Sequence, residues 1–328
     1  TKSGTGTLNL NGTNTYNGGT TLDDGKIRVN NNESIGTGTL TFNGGTLSGA
    51  NTGSTITLNE AMVVNGSVAV VNESNTGGTA FTLSGDISGA GTLNLGGSGN
   101  GQGNRQVVIA DNLDGFTGTV SWEGVGGGNS VVVTAAVNTT AALETSGVGT
   151  GAFDFYLQNN VTFGELSGTG GIIKAQNKTL TIDQDTNTTY AGVLANANGS
   201  NPLRFTKDGT GTLTLSGANT YTGTTTVSAG TLSLATGYTH TGSGTYTVGT
   251  DGTAATLKIA HLVDVSSHTM TIGLGGVISP GNSPGTAITG DQTWNDGGSY
   301  LWEINNSNGT KGVDEGWDWL DIQGDLTL

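Results

Sequence analysis

The fold is decided by the stretch KDGTGTLTLSGANTYTGTTTV, residues 207–227, which returns at residues 2–22 as KSGTGTLNLNGTNTYNGGTTL. The two copies align without a gap, and each continues through a further glycine into a second short alternating run. A single unit of this size cannot bury its own apolar face, whereas a stack of units can. Internal repetition therefore indicates an architecture built by stacking.

Within the repeat, polar and apolar residues alternate at 212–215 and again at 231–234. This period of two predicts strands that point Leu inward and the β-branched Thr outward. Residues 217–223 separate the two strands and contain Gly and Asn, which tolerate the positive φ angles of sharp corners. Each unit is predicted as strand, corner, strand, corner. Partial echoes of the same pattern begin at Gly36, Gly89, Asp114 and Gly168.

We therefore predict an all-β fold, a parallel β-helix or β-solenoid, with irregular loop excursions at glycine-rich runs. Right-handed winding is expected because such folds usually have it. The predicted solenoid covers residues 1–278, with its clear repeats at 2–29 and 207–234. Residues 279–328 are predicted to continue it as a Trp- and Asp-rich segment that is cut at its C-terminal end.

Composition restricts the partners of the chain. Its 328 residues include 60 Gly, only 10 Lys plus Arg, and a formal net charge of −15. No basic surface for nucleic acid is expected, and anionic membrane surfaces are equally poor partners. No apolar run is long enough to span a bilayer, so membrane insertion by this segment is not expected. Cysteine is absent, which excludes disulfides and thiolate catalysis and is compatible with an exported protein.

The repeat at 207–227, followed by AGTL at 229–232, resembles the autotransporter-associated β-strand repeat, also called the passenger-associated transport repeat. The run SPGNSPG at 279–285, with the Trp-rich residues after it, is similar to the region that follows such repeats in large bacterial surface proteins. The resemblance implies export to a Gram-negative cell surface or beyond, as part of a long β-helical passenger. It also implies that the repeat aids secretion and folding and does not act on a substrate.

The sequence thus favours a non-catalytic structural segment that serves as stalk, adhesin scaffold or fibre, without a cofactor. Expected partners are further copies of the chain, joined end to end or laterally, or glycans and proteins of a cell surface. One alternative is a glycan-binding module in the Trp-rich C-terminal region. A second alternative is a polysaccharide lyase or hydrolase built on a β-helix.

Four of the five tryptophans are the candidate ligand or partner surface: Trp294, Trp302, Trp317 and Trp319. Aromatic rings stack on sugars, but they also fill the end of a core, so both interpretations stay open. A dense acidic cluster lies among them, in which Asp314, Asp318 and Asp321 are candidate calcium ligands. Their spacing does not match an EF-hand loop, and a solvated acidic face is the alternative.

Three weaker patterns bear on catalysis or metal binding. Ser283 lies in a Gly-x-Ser-x-Gly pattern, but Pro follows it and no helical pattern comes next, so a rigid corner is favoured over a nucleophile elbow. His261 and His268 would need a third ligand to hold a metal. Asp183 and Asp185 are the best close carboxylate pair for an enzyme acting on polysaccharides, but a solvated strand face is the favoured interpretation.

Overall fold

The computed structural model describes residues 1–50, 53–74, 78–97, 105–123, 129–146, 154–199, 201–281 and 284–328. These residues fall into two compact units, one of Thr1–Gly164 with Gly168–Lys174 and one of Glu165–Ser167 with Ala175–Leu328. Within the described ranges all regular structure is β, and no helix occurs that is long and apolar enough to cross a membrane. The predicted all-β class is confirmed.

Short strands make up about half of the described chain, and they are numbered here in chain order. The first nineteen are β1 (Thr7–Leu10), β2 (Thr20–Leu22), β3 (Lys26–Val29), β4 (Leu40–Phe42), β5 (Thr46–Gly49), β6 (Ile56–Leu58), β7 (Met62–Val64), β8 (Ser67–Asn72), β9 (Ala80–Leu83), β10 (Ile87–Gly89), β11 (Thr92–Gly97), β12 (Arg105–Ile109), β13 (Gly115–Phe116), β14 (Thr119–Glu123), β15 (Asn129–Val133), β16 (Val137–Asn138), β17 (Ala142–Ser146), β18 (Asp154–Leu157) and β19 (Val161–Phe163).

The remaining strands follow the same short pattern. They are β20 (Glu165–Gly168), β21 (Ile172–Ala175), β22 (Lys178–Asp183), β23 (Thr188–Tyr190), β24 (Val193–Asn196), β25 (Leu203–Asp208), β26 (Thr212–Leu215), β27 (Ala218–Asn219), β28 (Thr225–Val227), β29 (Gly230–Leu234), β30 (Thr239–His240), β31 (Tyr246–Val248), β32 (Ala255–Ile259), β33 (Val263–Val265), β34 (Met270–Ile272), β35 (Gly276–Pro280), β36 (Thr286–Thr289), β37 (Gln292–Trp294), β38 (Ser299–Tyr300), β39 (Trp319–Ile322) and β40 (Leu326–Thr327).

The first unit is a parallel solenoid, because strands from successive coils pair with one another and not with their sequence neighbours. One sheet runs β1-β3-β5-β8-β11-β14-β17. A second runs β2-β4-β7-β10-β13, and a third contains β6-β9-β12-β15-β18. A coil therefore contributes one strand to each of several walls, and the apolar core lies between the walls.

The second unit has the same design. Its sheets include β23-β26-β29-β32-β35-β38 and β22-β25-β28-β31-β34-β37-β40. A third wall is made by β27 with β30 and by β33-β36-β39. The predicted β-solenoid is thus confirmed in both units, and the division after residue 278 stays a prediction. The glycine-rich runs at 98–104 and 124–128, where loop excursions were expected, lie outside the described residues.

Register in the second repeat agrees with the alternation read from the sequence. Strands β26 and β29 pair so that Leu213 lies beside Leu232 and Thr214 beside Ser233. Both leucines are fully buried, whereas Thr214 and Ser233 are half-buried on the outer side. Burial of like side chains in neighbouring coils stabilises the stack, since each fully buried Leu contributes about 1.5–3 kcal/mol.

The first repeat differs in burial although its sequence is nearly the same. Its strand β1 comes first in the sheet order and pairs with β3. Leu8, the counterpart of Leu213, is 40% exposed. The two copies of the repeat thus differ in how deeply their leucines are buried.

A glycine at the second corner of each repeat is required by close packing between coils. Gly230 has a φ of 61°, and a Cβ there would overlap the carbonyl oxygen of Gly209 in the preceding coil. Its counterpart Gly25 has a φ of 74° and faces the carbonyl oxygen of Gly4 in the same way. An L-residue is both strained and crowded at this position, which explains why glycine stands there in both copies.

Candidate functional site

A buried lysine anchors the repeat at its first corner. Lys207 lies near the end of β25, its side chain is fully buried, and its Nζ donates to the carbonyl oxygens of Asp208 and, at 2.9 Å, Gly209. In the first copy, Lys2 donates to the equivalent carbonyls of Ser3 and Gly4. The bond belongs to the repeat as such, because the same atoms make it in both copies.

Burial lowers the pKa of Lys207 to about 8, while the carboxylates of Asp208, Asp183 and Asp185 oppose that shift. Lys207 therefore stays charged at neutral pH. Asp183 pairs in register with Asp208 on the adjacent coil. The carboxylate of Asp185 accepts bonds from the backbone amide and hydroxyl of Thr210, at 2.9 and 2.8 Å, and these bonds lower its pKa. The pair proposed from sequence for catalysis thus engages the corner beside Lys207.

The aromatic corner of the repeat is closed by a tyrosine hydroxyl. Tyr221 is fully buried and its hydroxyl lies 2.5 Å from Oγ1 of Thr225. Tyr16 makes the same contact with Thr20 at 2.8 Å, but its side chain is 40% exposed. Burial raises the pKa of Tyr221 to about 12, so its hydroxyl keeps its proton at physiological pH.

We expect Tyr221→Phe to lower the free energy of unfolding by about 1–2 kcal/mol, because the Thr225 hydroxyl loses a buried partner. Tyr16→Phe is the matched control, and its cost should be below about 0.5 kcal/mol since water replaces the lost bond. Urea unfolding of both variants measures the difference. Equal costs at the two positions would contradict this account of the corner.

Beyond Tyr221, a stack of rings continues into the next coils. The ring of His240 lies 4.3 Å from that of Tyr221 on one side and 4.3 Å from that of His268 on the other, measured between centroids. Tyr238 and Tyr246 meet His240 edge to face. We call these five side chains the ring stack. All five are buried.

Hydrogen bonds fix the protonation of His240. Its Nε2 lies 2.8 Å from the carbonyl oxygen of Tyr221, which only accepts, so Nε2 carries the proton. Nδ1 then accepts from the hydroxyl of Tyr246 at 2.9 Å, and the Tyr238 hydroxyl lies 2.9 Å from the same oxygen. Burial lowers the pKa of His240 to about 4 and also lowers that of His268, so both imidazoles are neutral at pH 7.

His261 has a separate role from the ring stack, because its Nδ1 accepts from the backbone amide of Thr286 at 3.2 Å. His268 contacts Oγ of Ser267 at 3.0 Å. The structure therefore gives the two histidines different local partners. In the described ranges, no three His, Asp or Glu side chains form a group that could hold a metal ion. Ser283, the other weak candidate, lies outside those ranges.

The four C-terminal tryptophans have different surroundings. Trp294 ends β37 and is half-buried, and its Nε1 donates to Oε1 of Gln292 at 2.7 Å. Trp302 is 51% exposed, and its Nε1 donates to the carbonyl oxygen of Asp318 at 3.0 Å. Each indole is thus held by a hydrogen bond that leaves part of the ring accessible.

Trp317 and Trp319 flank the buried Asp318 and are both half-buried. The backbone of Trp317 forms isolated β-bridges with Ile304 and with Lys311. Trp319 begins β39, and the ammonium of Lys311 lies 3.3 Å from the centroid of its ring. This cation–π contact positions the loop that contains Lys311. A common ligand surface made by all four tryptophans stays a prediction.

The acidic cluster is engaged by local backbone and amide groups. Asp318 is buried, and its two carboxylate oxygens accept from the amides of Gly285 at 2.7 Å and Glu303 at 2.9 Å. Asp314 is exposed and accepts from Glu315 at 2.7 Å. Asp321 is half-buried in β39 and its Oδ2 accepts from the Gln323 amide at 3.4 Å. Calcium binding by these carboxylates stays a prediction.

We expect Asp318→Asn to destabilise the C-terminal coils by about 1–2 kcal/mol. The new amide nitrogen cannot accept from a backbone N–H, so the amide of Gly285 or of Glu303 loses its partner. Hydrogen exchange should accelerate at those two amides. Asp314→Asn, at an exposed position, is the control and should leave the exchange rates unchanged. Protection that persists in Asp318→Asn would contradict the bridging role.

Comparison with known proteins agrees with the repeat geometry. The family model described as "Passenger-associated-transport-repeat" matches residues 1–29 and 205–234. The chain is also 33% identical over 218 residues to the adhesin BmaC autotransporter of Brucella suis biovar 1 (strain 1330). That match covers 57% of this chain and 6% of the relative, so the chain spans only a small part of that protein. No solved structure matches the chain.

The chain contains two passenger-associated transport repeats and is similar to part of an autotransporter adhesin. The resemblance predicted from sequence is therefore confirmed. The two matched segments of this passenger-like chain contain the anchoring Lys2 and Lys207 and the corner tyrosines Tyr16 and Tyr221. Side chains that recur in the repeat thus make the same local bonds in both copies.

Proposed function

We propose that this chain is a non-catalytic structural segment of a protein exported to the surface of a Gram-negative bacterium, where it serves as stalk or scaffold. The observation that carries the proposal is the in-register parallel stacking of β26, β29 and β32. Each added coil covers the core of the previous one and pairs with its strand edge. A solenoid can therefore be extended by further coils while its cross-section stays the same.

The outer faces of these strands support a structural role. Thr214, Ser233 and Lys258 form one outward row on three successive coils, while Leu213 and Leu232 form an inward row beside Leu257. A wall of short polar side chains presents hydrogen-bonding groups to water along its length. Such a surface faces water along the length of the stack, while the apolar rows stay buried inside.

The hydrogen bonds of the acidic residues also support a role without turnover. Asp185 is bonded to Thr210, and Asp318 bridges the amides of Gly285 and Glu303. A catalytic carboxylate in a polysaccharide-cleaving enzyme has to face its substrate, with a second carboxyl group placed across the scissile bond. Asp185 and Asp318 instead hold corners of the solenoid.

The test is to locate the protein on the cells that make it. An antibody raised against the 328-residue chain is applied in immunogold electron microscopy of intact cells. Label on the envelope or on projecting fibres is the expected result. Label confined to the medium, with bare envelopes, would contradict an attached stalk. In that case the purified chain would be assayed for polysaccharide cleavage.

A further inference from the structure

Threonines form two parallel rows on the outer side of one wall of the second unit. The longer row has one member on each of six strands, from β22 to β37, and each member is the register partner of the next. Its members are Thr181, Thr206, Thr226, Thr247, Thr271 and Thr293. The shorter row lies two residues earlier on three of these coils and consists of Thr224, Thr245 and Thr269. We propose that these nine side chains, the threonine array, bind the surface of ice, a role that goes beyond the structural function.

Burial along each strand places both rows on the same face of the wall. On the coil of β31, Tyr246 and Val248 are buried, whereas Thr247 is half-buried and Thr245 is exposed. The same alternation holds on the coils of β28 and β34. Successive side chains of a strand point to opposite faces, so the members of the array share the outer face and leave the core to their neighbours.

The backbone sets the spacing of the array in two directions. Neighbouring strands lie about 4.8 Å apart, and residues two apart along a strand are separated by roughly 6.6 Å. Within the shorter row, the hydroxyl of Thr245 donates to that of Thr224 at 3.3 Å. A β-branched side chain is stiff at χ1, so its hydroxyl and methyl groups are largely ordered before anything binds. Both spacings are close to the repeats of water oxygens on a prism face of hexagonal ice.

Each threonine combines two groups that order water. Its hydroxyl both donates and accepts hydrogen bonds, and its methyl group restricts the orientations of the water molecules beside it. Water held by successive coils therefore takes up the repeat of the backbone and can continue into a crystal lattice. Arg204 and Asp291 stand before and after the shorter row, so the part of the array with two uncharged rows spans three coils. A rigid periodic surface suits a periodic solid, because little side-chain freedom is lost on contact.

Strand propensity alone does not produce rows of this kind. Threonine is favoured at exposed strand positions in general. In the neighbouring sheet, however, the corresponding outward row changes its residue at each coil, from Thr214 to Ser233, Lys258 and Ser279. The long charged side chain of Lys258 interrupts the spacing there. That row therefore provides an internal comparison for the threonine array.

The experiment freezes a dilute solution of the full 328-residue chain slowly onto a cold surface and compares the protein in the ice with that in the remaining liquid. We expect the chain to be enriched in the ice relative to serum albumin, and the ice crystals to be faceted. Exclusion from the ice to the same extent as albumin would overturn the proposal. Microcrystalline cellulose is the second periodic surface to test, and binding to cellulose without enrichment in ice would overturn it as well.

Variants assign ice binding to the threonine array. Thr247→Lys and Thr269→Lys each place a long charged side chain in one row, and each should lose most of the enrichment in ice. Thr214→Lys, on the neighbouring sheet, is the matched control and should keep the enrichment of the parent chain. Thr269 is exposed, so Thr269→Lys should keep a melting temperature near that of the parent chain, which separates lost binding from lost structure. Enrichment that persists in both array variants, or that is lost equally in Thr214→Lys, would refute this site.

Discussion

Acidification from pH 7.5 to pH 4 is expected to lower the free energy of unfolding of the second unit by about 3 kcal/mol through His240 alone. Burial in the ring stack reduces the pKa of this histidine from 6.5 to about 4. In the unfolded chain His240 therefore binds a proton near pH 6.5, whereas in the folded chain it binds one only near pH 4. The stability is complete above pH 6.5 and is lost progressively as the pH falls toward 4.

The groups around His240 explain why the folded state resists this proton. Tyr221, Tyr238 and Tyr246 surround its ring and are neutral at these pH values. His268 stacks on it and would add like-charge repulsion once charged. Asp264 favours the charged form of His268 and so acts in the opposite direction, but burial dominates the shift. Protonation of His240 would place an uncompensated charge inside an apolar wall.

Urea unfolding at pH 7.5, 6, 5 and 4 measures the effect. The parent chain should lose about 3 kcal/mol of unfolding free energy between pH 6.5 and 4 because of the lowered pKa of His240. In His240→Gln most of that loss should disappear. His261→Gln, which changes a histidine outside the ring stack, is the control and should keep the full dependence. If His240→Gln keeps the same pH dependence as the parent chain, the ring stack does not hold a neutral histidine.

Lys207→Ala is expected to destabilise the second unit by about 3 kcal/mol. The substitution removes a buried four-carbon stem and leaves a cavity, and it also removes a donor from the carbonyl oxygen of Gly209. The same change at Lys2, the equivalent residue of the first repeat, should cost about 1 kcal/mol or less because Lys2 is only half-buried. Chemical denaturation at pH 7 compares the two variants.

A third variant separates packing from charge at this corner. Lys207→Met keeps most of the stem volume and removes the ammonium, so its stability should lie between those of the parent chain and Lys207→Ala. The anchoring role of Lys207 would be contradicted if Lys207→Ala lowered the stability no more than Lys2→Ala does. In that case the full burial of Lys207 would contribute nothing beyond the stability that half-buried Lys2 provides.

Local alternation was sufficient to predict the walls of the solenoid. Residues 212–215 and 231–234 are strands with buried leucines, as the period of two required. The glycine-bearing corners could also be predicted, since Gly230 and Gly25 occupy the same place in both copies. These features depend on neighbours in sequence, and a repeated sequence displays them twice.

The ring stack could not be predicted in this way, because it depends on contacts between coils. His240 and His268 stack although 28 residues separate them, and pairing by sequence distance had instead joined His268 to His261. The recurrence of Lys207 at Lys2 is a signal in the sequence that this lysine has a role in the repeat. The bridging role of Asp318 could not be predicted either, because its partners Gly285 and Glu303 are distant in sequence.

The most direct test of the account is a disulfide between neighbouring coils. Thr214→Cys and Ser233→Cys place thiols on register partners whose Cα atoms lie about 4.8 Å apart, within the range that a disulfide spans. Thr212→Cys with Ser233→Cys is the control, because a shift of two residues separates the Cα atoms by roughly 8 Å. The parent chain has no cysteine, so each pair reacts alone.

After mild oxidation of the folded chain, free thiols are counted and peptides are mapped by mass spectrometry. The stacked solenoid predicts near-complete bridging of the 214–233 pair and little bridging of the 212–233 pair. Equal bridging of the two pairs, or preferential bridging of the 212–233 pair, would contradict the parallel register on which the whole account of this repeat depends.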